Sequence, residues 1–547
     1  MEFLPLSEAV AFLRNHAVKM HPSLRQLFEG NRPPDASRRS SKTLFPIALA
    51  LRDALLEVQN SFQFDTCALL DEEVDLLAIA LTELAEDLHV GLGMWQSLEN
   101  YQKEFFGTPL PLFWRPGDPP LLPFDARRFQ FFLYTIWGYL APDRVLSPSH
   151  RDLQTLAQTA SDVLTKHFAG QTRSSDIASF LASPNKYGWE IKRKLIWLGT
   201  HSYLFRFPFA AHAGDRLEGP PDVELVDDFI CQQTTEWSGL GATDLLAGTL
   251  KISDADRATL RTWHERHLAV YRVLSLQKRG RMMETMEVVN LVNDQPYRVR
   301  VEMESCPFTL DQMLLGSLLP WRGEWYWSGA QHPLKAGVND VKMIRKNFLE
   351  KSSSIAYRYC PGLAQKARDA VREQHANFLK AYGSDLAVFP DGYSLLAAEQ
   401  KRMDQEFAAK AGNDLAATMK KHKLSRPGPS LNLDRAFLKH QDGMGAFFNP
   451  DEGVEYLSNL HGLIACLGKK DETLTQDEQE MIFDLMREPD VSTAVLRRLV
   501  RDYGSQAFGR AFLITNFQES PDLEYLLRRF KGAYFRTRYP CISFSED

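Results

Sequence analysis

No two cysteines in this 547-residue chain are spaced as CxxC. The six cysteines, Cys67, Cys231, Cys306, Cys360, Cys466 and Cys541, are scattered along its length. A disulfide framework or a zinc ribbon needs clustered thiols, so neither is legible, and a reducing, cytoplasmic setting fits best. With no local signature of activation, each thiol reads as a small buried hydrophobe. Long apolar runs are missing too. The longest, near Phe131 to Ala141, falls well short of the roughly 18–20 residues that cross a bilayer, so no membrane partner is expected. The opening MEFLPLSEAVAFLRNHAVKM breaks its apolar run with Glu8 and Arg14, the wrong pattern for a secretory leader. GxxxxGK[ST], GxGxxG after a strand, GxSxG, HExxH and the EF-hand calcium loop are all absent. Nucleotide-binding, serine-hydrolase and calcium-binding readings therefore lose their usual signatures, and no cofactor is implied. No fixed-period repeat supports a solenoid.

What remains is an ordinary globular composition, 44% hydrophobic and 24% charged, in a chain long enough for about three or four domains. From about Asp65 to Leu88 the spacing predicts a helix, with Leu77, Leu81, Leu84 and Leu88 on one face and Glu72, Asp75, Glu83 and Glu86 opposite. Similar spacing recurs to about residue 270. Proline- and glycine-rich breaks fall at 31–41, 107–124 and 214–222. Residues 338–420 are again helical, and KKHKLSRPGPS (420–430) reads as a linker. The expected class is mainly α and multi-domain, with a small β-barrel-like module near the middle and an α-rich C-terminal domain. The expected boundaries are 1–270, 271–335, 336–420 and 431–547.

The β module rests on YRVLSL, METMEVVNLV, YRVRVEM, LLGSLLPW and EWYWSG, short β-rich runs separated by KRGR, NDQP and RG. The succession "Y-x-V" then "LLPW-x-GEWYWSG" resembles a small β module of uncharacterised bacterial proteins, with a further similarity in the helical last hundred residues. That resemblance implies architecture and no activity. In GEWYWSG, Trp325 and Trp327 share one strand face and Tyr326 takes the other, so at least one face is core.

Charge is unevenly spread. Residues 53–102 contain eleven acids and no Lys or Arg, a balance of −11. Residues 491–538 hold nine bases against four acids, or +5. A basic end points to nucleic acid or an acidic protein, and an acidic stretch to a basic protein partner, unless the two are solvated faces or dock on one another. Candidate binding residues are Arg497, Arg498 and Arg501, on a helix in a succession like a helix-turn-helix, and Arg529, Lys531, Arg536 and Arg538 in YLLRRFKGAYFRTRYP. The last segment divides into a docked helix ending at Gly532 and a strand carrying Arg536 and Arg538 on one side.

Catalytic candidates are weaker. PDGYSLLAAEQK sets Asp391, Glu399 and Lys401 in the order of the PD-(D/E)xK nucleases, a resemblance that implies Mg²⁺-assisted phosphodiester cleavage. The composition around Glu399 is helical, whereas that family uses a strand. His264 and His267 in WHERH, three apart on a predicted helix face, could begin a metal site. Thr200, His201 and Ser202 read as a polar triplet around a buried, hydrogen-bonded histidine. The favoured function is a cytoplasmic binding or scaffold protein, with a metal-dependent hydrolase or nuclease as one alternative and an acidic-helix scaffold as the other.

Overall fold

A computed structural model describes residues 24–34, 38–62, 67–141, 145–214, 222–304, 307–335, 340–351, 353–422, 425–428, 430–469 and 473–541. Cys306 and Asp65 lie outside the described residues. The chain forms two compact units, Met1–Arg345 with Phe512–Arg536, and Lys346–Ala511 with Thr537–Asp547. The class is mainly α and multi-domain, with a five-stranded β module near the middle. No helix among the described residues is long and apolar enough to cross a membrane.

After a short helix at Leu24–Gly30, the first unit continues with helices α1 (Arg38–Gln59), α2 (Asp71–Val90), α3 (Met94–Phe106), α4 (Ala126–Leu140), α5 (Arg151–Phe168), α6 (Asp176–Ala182) and α7 (Gly188–His201). Glu73 caps α2 by accepting from the Leu70 N–H at 2.8 Å. With Asp71 and Glu72 it places three acids at the positive end of the helix dipole. At the other end Gly91 takes φ +74° and closes the helix. Val74 and every residue from Leu77 to Asp87 are buried. The expectation that Glu83 and Glu86 lie on a face opposite the leucines, free for a partner, is therefore corrected: α2 is covered on all sides. The core beside it is aromatic, with Trp95 6.1 Å from Trp237 and Phe132 5.7 Å from Trp237 between ring centroids.

Helices α8 (Val223–Gln232) and α9 (Asp254–Arg261) lead into strands β1 (Ala269–Arg279), β2 (Met282–Asn290), β3 (Pro296–Met303), β4 (Met313–Trp321) and β5 (Glu324–Leu334). They close in the order β1-β2-β3-β5-β4, so the expected small barrel is present. Its seam is the parallel pairing of β3 with β5 at Val299 and Trp325. Closure removes the free sheet edges that would otherwise invite pairing with other chains. Trp325 packs on Tyr297 at 4.5 Å and Trp327 on Tyr271 at 5.6 Å, while Tyr326, on the other face, meets Trp189 at 5.4 Å. Both faces of GEWYWSG are thus in contact.

Buried or part-buried ion pairs around Asp227 and Asp256 hold the barrel to the helices of this unit. Asp227 on α8 accepts from Lys192 of α7 and from the Ser328 hydroxyl of β5 at 2.7 Å, and forms an ion pair with Arg266. Arg322, in the β4–β5 turn, donates to both oxygens of Asp256 on α9, at 3.1 and 2.6 Å. The hydrogen bond from Arg322 holds the Asp256 carboxyl below the ordinary aspartate value of 3.8. The folded chain then binds fewer protons than the unfolded chain near that pH. The stabilisation is complete above 3.8 and is lost as pH falls through the lower folded-state value. Asp256→Asn should lower stability by about 1 kcal/mol at neutral pH, since Arg322 is partly exposed. The difference from the parent should shrink as pH falls below 3.8, measured by urea unfolding at several pH values; a constant difference would refute the linkage.

In the second unit, helices α10 (Pro361–Tyr382) and α11 (Gly392–Ala411) pack with strands β6 (Leu386–Phe389), β7 (Met444–Asn449) and β8 (Gly453–Leu457). The sheet order is β6-β7-β8, all antiparallel. No break occurs near residue 431. The sequence reads the Pro/Gly segment there as a linker, yet Gly428 N–H donates to Asp404 at 3.0 Å and Leu431 N–H to Gln400 at 2.9 Å, pinning it along α11. β6 from one expected domain pairs with β7 from the next.

Residues 512–536, expected in the C-terminal domain, belong to the first unit. The helix Glu519–Lys531 buries Leu523, Leu526 and Leu527 and ends at Gly532, as the spacing predicts. The strand expected beyond it is absent. Gly532–Phe535 is a 3-10 turn and residues 536–540 form no ladder. The segment is held by side-chain contacts and not by a ladder: Arg536 donates to the Gln232 carbonyl at 2.8 Å and to Asp244 at 2.8 Å, both far away in sequence.

Candidate functional site

Buried charge in the first unit gathers on α2. Glu83 accepts from Arg206 at 2.6 Å, and Glu86 from Arg32 at 2.6 Å and from the Ser175 hydroxyl at 2.6 Å. Asp87 accepts from Tyr203 at 2.7 Å and from the N–H groups of Gly93 at 2.9 Å and Trp95 at 2.8 Å. One turn further, Glu99 binds Arg128 at 2.7 Å and the Trp95 indole at 2.8 Å. Burial drives the Glu83 and Asp87 carboxyls above their ordinary range and the Tyr203 hydroxyl well above its own. Grouped perturbed residues of this kind mark functional sites, although structural ion-pair networks produce them too. Beside the cluster, Arg32 Nε and Nη2, Arg206 Nε and Nη2, and Glu83 Oε1 are buried without a hydrogen-bond partner among the protein atoms.

A cavity of about 430 Å³ opens next to Glu86. The C-terminal end of α2 contributes Glu86 and His89, α5 contributes Phe168, and the loop into α6 contributes Gln171, Thr172 and Ser174. Ser175 caps α6 through the Ile177 N–H at 3.1 Å while its hydroxyl reaches Glu86, so one residue both starts the helix and orients a wall carboxylate. Among the described residues of the lining, Glu86 and Asp176 are the acids and there is no lysine or arginine. His89 packs on Phe168 at 5.2 Å, giving an aromatic wall beside the hydroxyls. The arrangement can hydrogen-bond and stack a small polar molecule, and its carboxylates disfavour an anion.

The residues singled out from sequence fall elsewhere. Arg529 is buried against Glu236 at 2.5 Å, with its guanidinium 4.4 Å from the Tyr134 ring centroid, and Lys531 is buried. Arg538 makes two hydrogen bonds to Glu452, at 2.8 and 2.6 Å. Arg498 pairs with Asp385 at 2.7 Å and with Asp502. Arg497 and Arg501, on helix α12 (Thr493–Tyr503), are exposed. The expected helical succession around them is present, in Gln476–Arg487, α12 and Gln506–Ala511.

Asp391, Glu399 and Lys401 do not converge. Asp391 caps α11 by accepting from the Ser394 N–H at 2.7 Å. Glu399 is fully buried, accepting from Arg402 at 2.8 Å and Tyr382 at 2.7 Å, while Lys401 is exposed. Two positions apart on a helix face different ways, whereas on a strand they would share a side. His264 and His267 also part. Residues 262–265 form a 3-10 turn, in which the His264 ring faces the Arg261 carbonyl at 2.6 Å, while the His267 ring faces Asn290 at 3.4 Å. His201 is exposed rather than buried, its ring 2.6 Å from the Thr200 hydroxyl.

The α2 network was missed because a carboxylate in a helix has the same sequence signal whether water or arginine faces it. Arg32 lies 54 positions from Glu86 and Arg206 lies 123 from Glu83, beyond any local pattern.

Residues 46–255 match the model of a family described as a protein of unknown function (DUF3843). The matched stretch contains Glu83, Glu86, Asp87, His89, Ser175, Tyr203 and Arg206, and it lies outside the β module and the C-terminal region that carry the resemblance noted from sequence. No curated protein and no solved structure matches the chain.

Proposed function

We propose that this chain is a cytoplasmic binding protein whose first unit holds a small polyhydroxylated molecule, such as a sugar or polyol, in the cavity beside Glu86. The lining of that cavity carries the reading: hydroxyls of Thr43, Thr172, Ser174 and Ser179, the Gln171 amide and an aromatic wall, within a volume suited to a small ligand. A rigid ion-paired α2 behind the cavity keeps these groups in place. None of the five described cysteines is in a disulfide, which suits a reducing compartment. Polyanion binding by the second unit is the lesser reading, since Arg498 and Arg538 are turned to Asp385 and Glu452 and only Arg497 and Arg501 of the four are exposed.

The test is a panel of sugars and polyols, with organic anions as controls, scored by thermal unfolding. A ligand at 100 times its Kd should stabilise the protein by about 2.7 kcal/mol. Ser179 is exposed at the rim; Ser179→Trp should leave the unliganded midpoint unchanged and remove the ligand shift. Panel-wide silence, or an equal shift in Ser179→Trp, would overturn the reading.

A further inference from the structure

Among the described residues, one group of His, Cys, Asp and Glu side chains brings three ligand atoms within 4.8 Å of one another: Cys67, His150 and Asp152. Cys67 Sγ is 3.6 Å from His150 Nδ1, which is 3.9 Å from Asp152 Oδ2. We propose that these three residues form a binding site for a zinc-like divalent transition metal.

Size supports this. A tetrahedral zinc with bonds of roughly 2.3 Å to sulfur and 2.0 Å to nitrogen or oxygen separates its ligand atoms by roughly 3.3–3.6 Å. The Cys67–His150 spacing already has that value, the His150–Asp152 distance of 3.9 Å is slightly long, and all three ligand atoms lie within 4.8 Å of one another. The imidazole is in the right form. His150 Nδ1 accepts from the Asp152 N–H at 3.2 Å, so that nitrogen carries a lone pair, which a bound metal would take over from the helix cap. A thiolate and an imidazole select zinc-like ions over magnesium or calcium, which prefer all-oxygen shells.

One effect opposes the site. His150 caps α5 and Asp152 lies in its first turn, where the helix dipole repels a cation. That repulsion comes from partial charges of roughly half an elementary charge, whereas a thiolate and a carboxylate bring two full negative charges into direct contact with the ion. The ligands prevail. Cys67 is buried, whereas His150 and Asp152 are part-exposed, so solvent reaches the cluster and three protein ligands leave a fourth position for water. This is the three-ligand pattern of zinc sites that keep an open position. The proposal does not depend on the cavity beside Glu86, since none of its ligands lines that cavity.

Chelator-stripped full-length protein should bind one equivalent of Zn²⁺ in competition with a chromophoric chelator. Co²⁺ should give visible bands of tetrahedral intensity and a near-ultraviolet sulfur-to-cobalt charge-transfer band. Cys67→Ser should remove the charge-transfer band and weaken Zn²⁺ binding by about 100-fold or more, since even outer-shell changes cost 10–100-fold. Asp152→Asn should weaken binding while keeping that band, and it carries the test should Cys67→Ser fail to fold. No stoichiometric binding by the parent, a charge-transfer band that survives Cys67→Ser, or unchanged affinity in folded Asp152→Asn would overturn the site.

Discussion

Asp227→Ala should destabilise the first unit by about 3–5 kcal/mol, the range for removing one partner of a buried ion pair. Asp227 is almost fully buried and faces two cations, Lys192 and Arg266, as well as the Ser328 hydroxyl. The two cations respond differently to its loss. Burial already pushes the Lys192 ammonium down to about 8, so it can shed its proton. Arg266 cannot lose its charge at any accessible pH and would stay buried, with the longer 3.7 Å contact to the Asp228 carboxylate left to it. Most of the expected loss therefore belongs to Arg266. Replacing both members, Asp227→Leu with Arg266→Met, should recover much of the stability, because a buried pair exchanged for packed hydrophobics is often neutral. All ten tryptophans lie in the first unit, so the urea midpoint by tryptophan fluorescence reports that unit directly. A loss below about 1 kcal/mol, the value of a surface pair, would show that Asp227 does not hold the barrel to its helices.

Gly239→Ala should destabilise the same unit by about 2–5 kcal/mol, combining left-handed backbone strain with overpacking. Gly239 has φ +72°, and a Cβ there would come 2.6 Å from the Arg528 carbonyl oxygen and 2.8 Å from Gly532 Cα. Both are backbone atoms of the C-terminal segment, so relief requires the helix Glu519–Lys531 to lift from its seat. The ion pairs Arg529–Glu236 and Arg536–Asp244 flank this contact and resist such a shift. Gly280→Ala is the control, since Gly280 has φ +63° with nothing within 4 Å of the added carbon. It should show the backbone strain alone, about 1–2 kcal/mol. Equal losses in the two variants would mean that the close approach carries no weight.

The two substitutions bear on how a local signal can mislead. YLLRRFKGAYFRTRYP has the composition of a nucleic-acid grip, and its leucine stripe correctly predicts a docked helix. The destinations of its arginines had no local signal. Arg529 meets Glu236, 293 positions away, and Arg536 meets Asp244, 292 positions away. A base and an acid that distant neutralise each other only once the chain has folded. The same holds on α2 and α3, where the acids that suggest an external basic partner are met by Arg32 and Arg206 and by Arg128 of their own unit.

By itself, the sequence determined the elements whose causes are local. Leucine spacing and an acidic first turn set α2, alternation and turn residues set five strands, and Pro–Gly composition set the irregular 107–124 segment. Only the tertiary structure decided the closure of the barrel, the return of residues 512–536 to the first unit, and the meeting of Cys67 with His150 across 83 positions. It also decided that Glu399 and Lys401 face apart, because the backbone there is helix rather than strand. The division follows from range: propensity and periodicity act over a few residues, whereas the charge partners, cavity walls and ligand sets that carry function are assembled by packing from segments far apart in the chain.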